Sequence, residues 1–300
     1  MTQFAKSLCL RVFDVIHRLI LSTFPQGARN LKSDNGKELS DSEKTPYVSC
    51  IESIAKSPEL LLRFRRVFMY REIVETVSYQ QGKKYLNRIK KLNDNVIPDL
   101  NAYKSNDFIG KPITYKYPNE LSISPTTLRY VSVSKELKEI FGSQLRGHFV
   151  EIGAGYGGQA AILMKDFEVS NYSIYDLPDA QLITRFFLDQ FQAGNNVKMR
   201  NLNEGVDEKF DFVVSNYAFS ELPREIQDGY ITQVLVRSKC GYLIMNSGNS
   251  NYTGRQIGKY TLDELREKLP QFEVFEELPS TGPDNYVIVW GHERVRKSPN

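Results

Sequence analysis

The sequence predicts an α/β fold in which a mostly parallel sheet follows an N-terminal helical region, and three observations lead to this prediction. An apolar, β-like segment ends in a glycine-rich turn at residues 149–158, and a helical segment follows at once. Further β-like and helical segments then alternate, which is typical of a parallel sheet with helical crossovers. Two final β-like segments, 272–278 and 285–290, are too close in sequence for such a crossover, so we expect them to pair antiparallel.

The composition is that of an ordinary globular protein. The chain has 300 residues, of which 41% are hydrophobic and 25% charged, enough to bury a large core. Its net charge of +3 comes from 39 basic and 36 acidic residues, a balance that does not favour a nucleic-acid partner. Cys9, Cys50 and Cys240 lack the spacing of a disulfide framework or a zinc site. We therefore expect a reducing, cytoplasmic location.

The first 46 residues separate into a helical segment and a linker. Apolar residues recur at helical spacing over residues 4–20, but charged residues interrupt them, which argues against a membrane-spanning helix. This helix could lie on a membrane surface or a partner, or it could pack on its own domain. Residues 25–46 are rich in Gly, Ser, Asn, Asp and Lys, which indicates an exposed, flexible linker.

Four regions are expected: the N-terminal helix and linker at 1–46, a helical cap or substrate region at 47–142, a cofactor domain at 143–292 and a tail at 293–300. In the helical region, Gln81-Gly82 predicts a break between two helices, and residues 98–120 are loop-like. Ser124 opens a further helix that runs to Phe141, with Gly142 as its stop. These helices either cap the substrate side of the sheet or give it structural support.

The glycine-rich turn matches the patterns of two cofactor families. The spacing Gly153-x-Gly155-x-x-Gly158 fits a dinucleotide fingerprint. The spacing Glu151-x-Gly153-x-Gly155-x-Gly157 resembles the first motif of S-adenosylmethionine-dependent methyltransferases. Glu151 favours the second interpretation, because a carboxylate gains nothing beside a pyrophosphate.

Asp176 ends the next predicted strand, about twenty residues after the glycines, where a carboxylate can bind ribose hydroxyls. Both cofactors contain a ribose, so Asp176 indicates a nucleoside cofactor without choosing between them. Asp176 could also cap the following helix.

The remaining elements of the cofactor domain follow in alternation. Strands are predicted at 171–176, 197–200, 210–216 and 241–246, and helices at 180–191 and 224–237. Thr261 and Glu264 have the spacing of a capping box at the start of a further helix. The polar run 246–259 could bind hydroxyls or a phosphate, or it could be a solvated loop.

Residues 151–158, Tyr175-Asp176, residues 215–222 and the closing hairpin together resemble a class I S-adenosylmethionine-dependent methyltransferase. Residues 121–131 and 215–222 are similar to the sugar O-methyltransferase family. The resemblance implies a Rossmann-like, mostly parallel seven-stranded sheet with a reversed last strand, S-adenosylmethionine as cofactor, and a hydroxyl of a sugar or glycan precursor as acceptor. Two alternatives stay open: an NAD(P)-dependent oxidoreductase or epimerase of a sugar nucleotide, and a binding protein that keeps the cofactor fold without turnover.

The resemblance also implies a set of cofactor-binding residues at the ends of the strands. The glycines would line the methionine end with Glu151 near its ammonium group, Asp176 would hold the ribose, and Leu177 would pack on the adenine. The full set is Glu151, Gly153, Gly155, Gly157, Asp176, Leu177, Asn201, Leu202, Ser215 and Asn216.

Methyl transfer to a sugar hydroxyl requires in-line positioning and is helped by a general base. Glu221, just past the fourth strand, is the first candidate, although it could instead act as the acid at a helix N-terminus. Asp284 and His292, on the closing hairpin, are the other candidates. No carboxylate cluster has metal-ligand spacing, so no metal is predicted. A homo-oligomer is compatible with the sequence.

Overall fold

The computed structural model describes residues 46–93, 100–118, 121–191, 196–205, 207–246 and 259–292. The predicted N-terminal helix, nearly all of the linker, most of the polar run 246–259 and the predicted tail lie outside these residues. None of the described helices is both long enough and apolar enough to cross a membrane.

The helical region begins with four α-helices and a 3-10 turn. They are α1 (Tyr47–Lys56), α2 (Pro58–Leu61), the 3-10 turn Phe64–Arg66, α3 (Phe68–Val74) and α4 (Tyr79–Leu92). The predicted helix break at Gly82 is wrong, because Gly82 lies inside α4. The helix starts before it with a capping box, in which Ser78 and Gln81 each bond the other's backbone N–H. A Cβ on Gly82 would lie 2.1 Å from Tyr117 Oη, so glycine permits the Tyr117 side chain to pack closely against α4.

The segment predicted as a loop contains short regular elements. A 3-10 run spans Leu100–Asp107, and β1 (Tyr115–Lys116) pairs antiparallel with β2 (Ser122–Ile123). The helix that follows, α5 (Pro125–Phe141), confirms the prediction at both ends: the Ser124 side chain caps its start, and Gly142 ends it with φ of 56°.

The cofactor domain contains seven strands with helices between them. Its elements are β3 (Arg146–Ile152), α6 (Gly158–Asp166), β4 (Glu168–Tyr175), α7 (Pro178–Asp189), β5 (Val197–Arg200), β6 (Phe210–Asn216), α8 (Ala218–Glu221), α9 (Arg224–Gln233), β7 (Ser238–Met245), α10 (Leu262–Lys268), β8 (Glu273–Glu276) and β9 (Tyr286–Trp290). The predicted capping box at Thr261 and Glu264 is confirmed at the start of α10.

The seven strands form one sheet in the order β5-β4-β3-β6-β7-β9-β8. Every pair is parallel except the two that involve β9, which runs antiparallel to both β7 and β8. This confirms the predicted mostly parallel seven-stranded sheet with a reversed last strand. The reversal follows from the short loop before β9, which leaves no room for a crossover helix.

The strand order changes direction at β3, which lies between β4 and β6. In sheets of this type a crevice opens at such a point, outside the carboxyl ends of the strands. The turns after β3 and β6 both lie at this point of the sheet, and we refer to this place as the crevice. The topology therefore brings the glycine-rich turn together with Asn216.

Apolar side chains cover both faces of the sheet. Along β3, Phe149 belongs to the core cluster on one face, whereas Val150 and Ile152 belong to the cluster on the other. The helical region packs on the first face, where its residues join the same cluster as Phe149. Because side chains alternate along a strand, Glu151 points into this first face.

Candidate cofactor site

The turn after β3 is built from glycines in a left-handed conformation. Gly153, Gly155 and Gly157 have φ values of 73°, 60° and 86°. The Gly153 N–H donates to the Tyr175 carbonyl at 2.8 Å, which joins the turn to the end of β4. A Cβ on Gly153 would lie 2.1 Å from Ala218 Cβ, so the start of α8 closes on the turn. The predicted spacing therefore corresponds to a tight turn at the crevice.

The helical region contacts this turn directly. A Cβ on Gly155 would lie 3.3 Å from Val74 Cγ1, at the end of α3. The Asn106 side chain donates to the Gly158 carbonyl at 3.0 Å. The Arg65 guanidinium lies 4.6 Å from the centre of the ring of Tyr156 in the turn. Residues before the cofactor domain therefore help to shape the turn.

Asp176 accepts hydrogen bonds from the glycine turn and from the residue that follows it. Its Oδ2 accepts from the Gly155 N–H at 3.0 Å, and its Oδ1 accepts from the Leu177 N–H at 2.8 Å. Burial raises the pKa of Asp176 to about 6, although these backbone donors oppose the rise. The N-cap residue of α7 is Leu177, so the alternative in which Asp176 caps that helix does not hold.

Glu151 is a buried carboxyl group on the same side of the sheet. It is 1% exposed, and its Oε2 accepts a hydrogen bond from the Tyr172 hydroxyl at 2.7 Å. Burial raises its pKa from 4.5 to about 8, the Tyr172 hydrogen bond lowers it, and the nearby charge of Asp176 raises it further. Within the described ranges, no cationic side chain pairs with Glu151 or Asp176. The site thus contains two desolvated acids without a counter-charge.

Asn216 presents an unused acceptor at the end of β6. Its Nδ2 donates to Gln159 Oε1 at 3.3 Å, and Gln159 in turn donates to the Tyr130 carbonyl at 3.2 Å. The buried Oδ1 of Asn216 has no hydrogen-bond partner in the part of the chain that the structure describes. This amide is therefore oriented by Gln159 and keeps an acceptor for a ligand.

Ser215 differs from its neighbour Asn216. Its hydroxyl donates to the Ile152 carbonyl at 2.9 Å and accepts from the Phe219 N–H at 3.1 Å. Both bonds join the ends of β3, β6 and α8. Ser215 therefore shapes the crevice, but its hydroxyl is already committed to the backbone.

The end of β5 lies beside Asp176, because β4 and β5 pair in register up to their last residues. Asn201 is exposed, and its side chain accepts from the Asn203 N–H at 3.1 Å. Leu202 is half-buried and packs on α9 at Gly229. Of these two predicted residues, Asn201 is thus the one that faces solvent.

Glu221 lies at the end of α8 and is half-buried. Its Oε1 accepts from the Asn246 side chain at 2.9 Å, just after β7. Tyr47, at the start of α1, comes close to the same place: burial raises the pKa of its hydroxyl, and the charges of Asp176 and Glu221 raise it further. Tyr47 therefore lies near both acids, a position that nothing in the sequence indicated.

The two candidates on the closing hairpin, Asp284 and His292, lie at opposite ends of the strands. Asp284 is exposed in the loop before β9, and Tyr286 in that strand pairs with Met245 at the carboxyl end of β7, which is the edge of the crevice. Because β9 runs antiparallel, His292 beyond its end lies beside the start of β7. There its Nε2 is 3.4 Å from Glu273 Oε1. The structure does not bring His292 together with the other predicted residues.

A buried hydrogen-bond cluster joins the β8–β9 loop to the turn after β6. The Tyr217 hydroxyl donates to Glu277, which is 3% exposed. Glu277 also accepts from the Thr281 N–H at 2.9 Å and from the Asn285 side chain at 3.2 Å. Sequence reasoning missed Glu277, although an acid followed by turn-forming residues was a weak signal for it.

Comparison with known proteins gives similarity of fold only. No protein-family model and no curated protein matches the chain. Many solved structures match, and three that match at probability 1.00 illustrate the range. An enzyme provisionally named sarcosine dimethylglycine methyltransferase, from Galdieria sulphuraria, is 20% identical, with 39% of this chain and 47% of that chain covered and a TM-score of 0.33. An O-methyltransferase family 2 protein from Planctomyces limnophilus DSM 3776, in complex with apigenin, is 14% identical, with 56% and 58% covered and a TM-score of 0.39.

PigF, solved with SAH, is 11% identical, with 74% of this chain and 71% of that chain covered and a TM-score of 0.39. The chain thus spans less than two thirds of the length of the first two enzymes. At these identities and TM-scores, the similarity carries no conclusion about substrate or chemistry. The argument about function therefore rests on the geometry of the site.

Proposed function

We propose that the chain is an S-adenosylmethionine-dependent O-methyltransferase that binds its cofactor in the crevice between β3 and β6. One observation carries the proposal: Glu151 and Asp176 are desolvated acids beside the glycine turn, with no cationic partner in the described chain. A buried carboxylate without a partner is destabilising. S-adenosylmethionine carries a sulfonium and an ammonium group, so it would supply the missing positive charge.

A nicotinamide dinucleotide fits this arrangement less well. Its pyrophosphate is anionic and would need free N–H groups in the turn. The Gly155 N–H already donates to Asp176, and the negative charge of that carboxylate would repel a phosphate. The oxidoreductase or epimerase alternative is therefore not favoured.

The predicted residues have distinct roles in this proposal. The three glycines allow the methionine end to approach the backbone. Glu151 is protonated at neutral pH in the cofactor-free protein, and it would lose this proton to provide the charge for the ammonium group. Asp176 binds the ribose, while Leu177, Asn201 and Leu202 border the adenine. Asn216 offers its Oδ1 as an acceptor, and Ser215 contributes through the shape of the turn. The bound cofactor supplies an electrophilic methyl group.

The protein's own contribution to the reaction is to position the acceptor and remove its proton. Glu221 is at the carboxyl edge of the sheet, and Asn246 fixes one of its oxygens. We assign it the role of general base for the acceptor hydroxyl. Asp284 is the second candidate at this edge. Helices of the region 47–142 cover the turn and would limit the access of water.

The acceptor that we propose is a hydroxyl of a sugar or glycan precursor. This rests on the similarity of residues 121–131 and 215–222 to the sugar O-methyltransferase family, and Arg129 and Tyr217 of these segments are adjacent in space. Among the described residues, no three His, Cys, Asp or Glu side chains are grouped to hold a metal ion, and we propose a mechanism without one. The scattered cysteines support a cytoplasmic location.

The role of Glu221 is tested by Glu221→Gln. This change keeps the shape of the side chain but removes its basic oxygen, so single-turnover methyl transfer should slow by about 10²–10⁴-fold. Cofactor affinity, measured by calorimetry, should stay nearly the same. Glu225→Gln, an exposed acid in the first turn of α9, is the matched control and should keep the wild-type rate.

If Glu221→Gln transfers the methyl group at a rate within a few-fold of the wild type, Glu221 is not the general base and Asp284 becomes the candidate. Loss of cofactor binding in the same variant would mark Glu221 as part of the cofactor site. No release of S-adenosylhomocysteine by the wild type, across neutral and acidic sugar acceptors, would favour a binding protein without turnover.

A further inference from the structure

Arg129 in α5 is a buried guanidinium that forms no ion pair with any carboxylate of the described residues. It is 9% exposed, and its Nε has no hydrogen-bond partner among the described residues. Its neighbours are aromatic: the guanidinium carbon lies 5.2 Å from the ring centre of Tyr130 and 5.9 Å from that of Tyr217. Burial raises the pKa of Tyr85 to about 12, and the charge of Arg129 opposes this rise, so Tyr85 is also close to the guanidinium.

Arg65, a second buried guanidinium, has different surroundings. Arg65 is 0% exposed and pairs with the carboxylates of Glu75 and Asp107. It also donates to the Asn106 carbonyl at 2.7 Å and to Ser124 Oγ at 3.2 Å. A purely structural arginine is therefore fully satisfied in this protein. No carboxylate in the described ranges lies within ion-pair distance of Arg129.

Aromatic contacts alone do not compensate for such a burial. Removing a charge from water costs several kcal/mol, whereas a cation–π contact returns about 0.5–2 kcal/mol. Glu277 is a candidate for a counter-charge, because it bonds Tyr217, whose ring is a neighbour of the guanidinium. Its two oxygens are, however, occupied by Tyr217, Thr281 and Asn285. The Nε–H of Arg129 is thus a donor that a ligand could satisfy.

Arg129 also lies next to the crevice. Its neighbour Tyr130 accepts a hydrogen bond from Gln159 through the backbone carbonyl, and Gln159 accepts one from Asn216. Tyr217, on the other side of the guanidinium, follows Asn216 directly. The guanidinium is therefore beside the end of β6, where we propose that the acceptor binds.

We propose that Arg129 binds an oxyanion group of the methyl acceptor, which makes the acceptor an acidic sugar, with a carboxylate or a phosphate, rather than a neutral one. This inference rests on the proposed methyltransferase function. A guanidinium binds either group through two parallel N–H donors, and it is always charged.

Thermal unfolding of the full chain with S-adenosylhomocysteine present tests the anion site. Glucuronate and glucose 1-phosphate distinguish a carboxylate from a phosphate, and glucose at the same concentration is the neutral control. At constant ionic strength, one or both anions should raise the unfolding temperature of the wild type, and glucose should not. In Arg129→Met the effect should disappear, and in Arg129→Lys the affinity should fall about tenfold. Equal anion effects in the wild type and Arg129→Met, or none in the wild type, would overturn the proposal.

A second measurement separates a ligand site from a structural role. In the absence of ligands, Arg129→Met should unfold at the same or a higher urea concentration than the wild type, because it removes an uncompensated charge. Arg65→Met, the matched variant, should unfold at a clearly lower concentration. A loss of stability in Arg129→Met as large as that in Arg65→Met would contradict the proposal.

Failure of the proposed function would give a different pattern. If S-adenosylhomocysteine itself fails to raise the unfolding temperature of the wild type, the cofactor assignment is wrong. If it stabilises the wild type and Arg129→Met equally while the anions stabilise neither, the cofactor assignment stands and the acidic acceptor is rejected.

Discussion

Glu151 and Asp176 illustrate how much of the site depends on single residues. Their positions were predictable, because Glu151 lies near the end of β3 and Asp176 directly follows β4, each at a fixed distance from the glycines. Tyr47, Arg129 and Glu277 were not predictable. Their surroundings depend on contacts between segments far apart in the sequence. In the sequence itself, each of them looks like an ordinary helix or loop residue.

The pKa of Glu151 predicts a pH-dependent stability. The folded pKa of about 8 exceeds the ordinary value of 4.5, so folding takes up a proton between these values. The stabilisation is fully present below pH 4.5 and is lost as the pH rises through 8, on the order of a few kcal/mol. Glu151→Gln cannot titrate, and its free energy of unfolding should fall less with pH.

Urea unfolding of the cofactor-free wild type and Glu151→Gln across this pH range measures the difference. Other titrating groups are common to both proteins, so subtracting the two curves isolates Glu151. Parallel curves would mean that Glu151 is ionised in the folded protein and that its burial has been misjudged.

At the scale of elements, sequence patterns located most strands and helix ends correctly. Ser124 and Gly142 marked both ends of α5, because capping and left-handed termination are local properties. The two-residue strands β1 and β2 were missed because they are too short to carry a periodic pattern. Gly82 misled the prediction. A glycine is present there because the Tyr117 side chain packs against the helix at that position, not because the helix breaks.

Gly82→Ala should therefore destabilise the protein. Alanine in a helix usually gains about 1 kcal/mol over glycine, but here its Cβ would lie 2.1 Å from Tyr117 Oη and 3.0 Å from Pro125 Cβ. Overpacking of this kind costs about 1–3 kcal/mol. Tyr117→Phe removes the clashing oxygen, which has no hydrogen-bond partner among the described residues, and should restore part of the loss.

Urea unfolding of the single and double variants measures this coupling. Asn87→Ala, at an exposed position of the same helix, is the control and should be neutral or slightly stabilising. A Gly82→Ala protein more stable than the wild type would show that α4 can move away from Tyr117.

At the scale of the whole molecule, the short loop before β9 was enough to predict the reversed strand. The order of the strands could not be predicted from the sequence, because it depends on the side of the sheet on which each crossover helix packs. The contact between the helical region and the glycine turn was equally inaccessible. It is made by Arg65 and Asn106, whose partners are distant in sequence. The region 47–142 is therefore part of the site's framework in our account.

The central claim is that the crevice is built for a cationic nucleoside cofactor, and calorimetric titration of the full chain with S-adenosylmethionine and with NAD⁺ tests it most directly. We predict saturable binding of S-adenosylmethionine, with Asp176→Asn weakening it by at least about tenfold because a charge-assisted bond to the ribose is lost. NAD⁺ should bind far more weakly to both proteins. Binding of NAD⁺ as tight as that of S-adenosylmethionine, or no binding of S-adenosylmethionine to the folded wild type, would contradict the account.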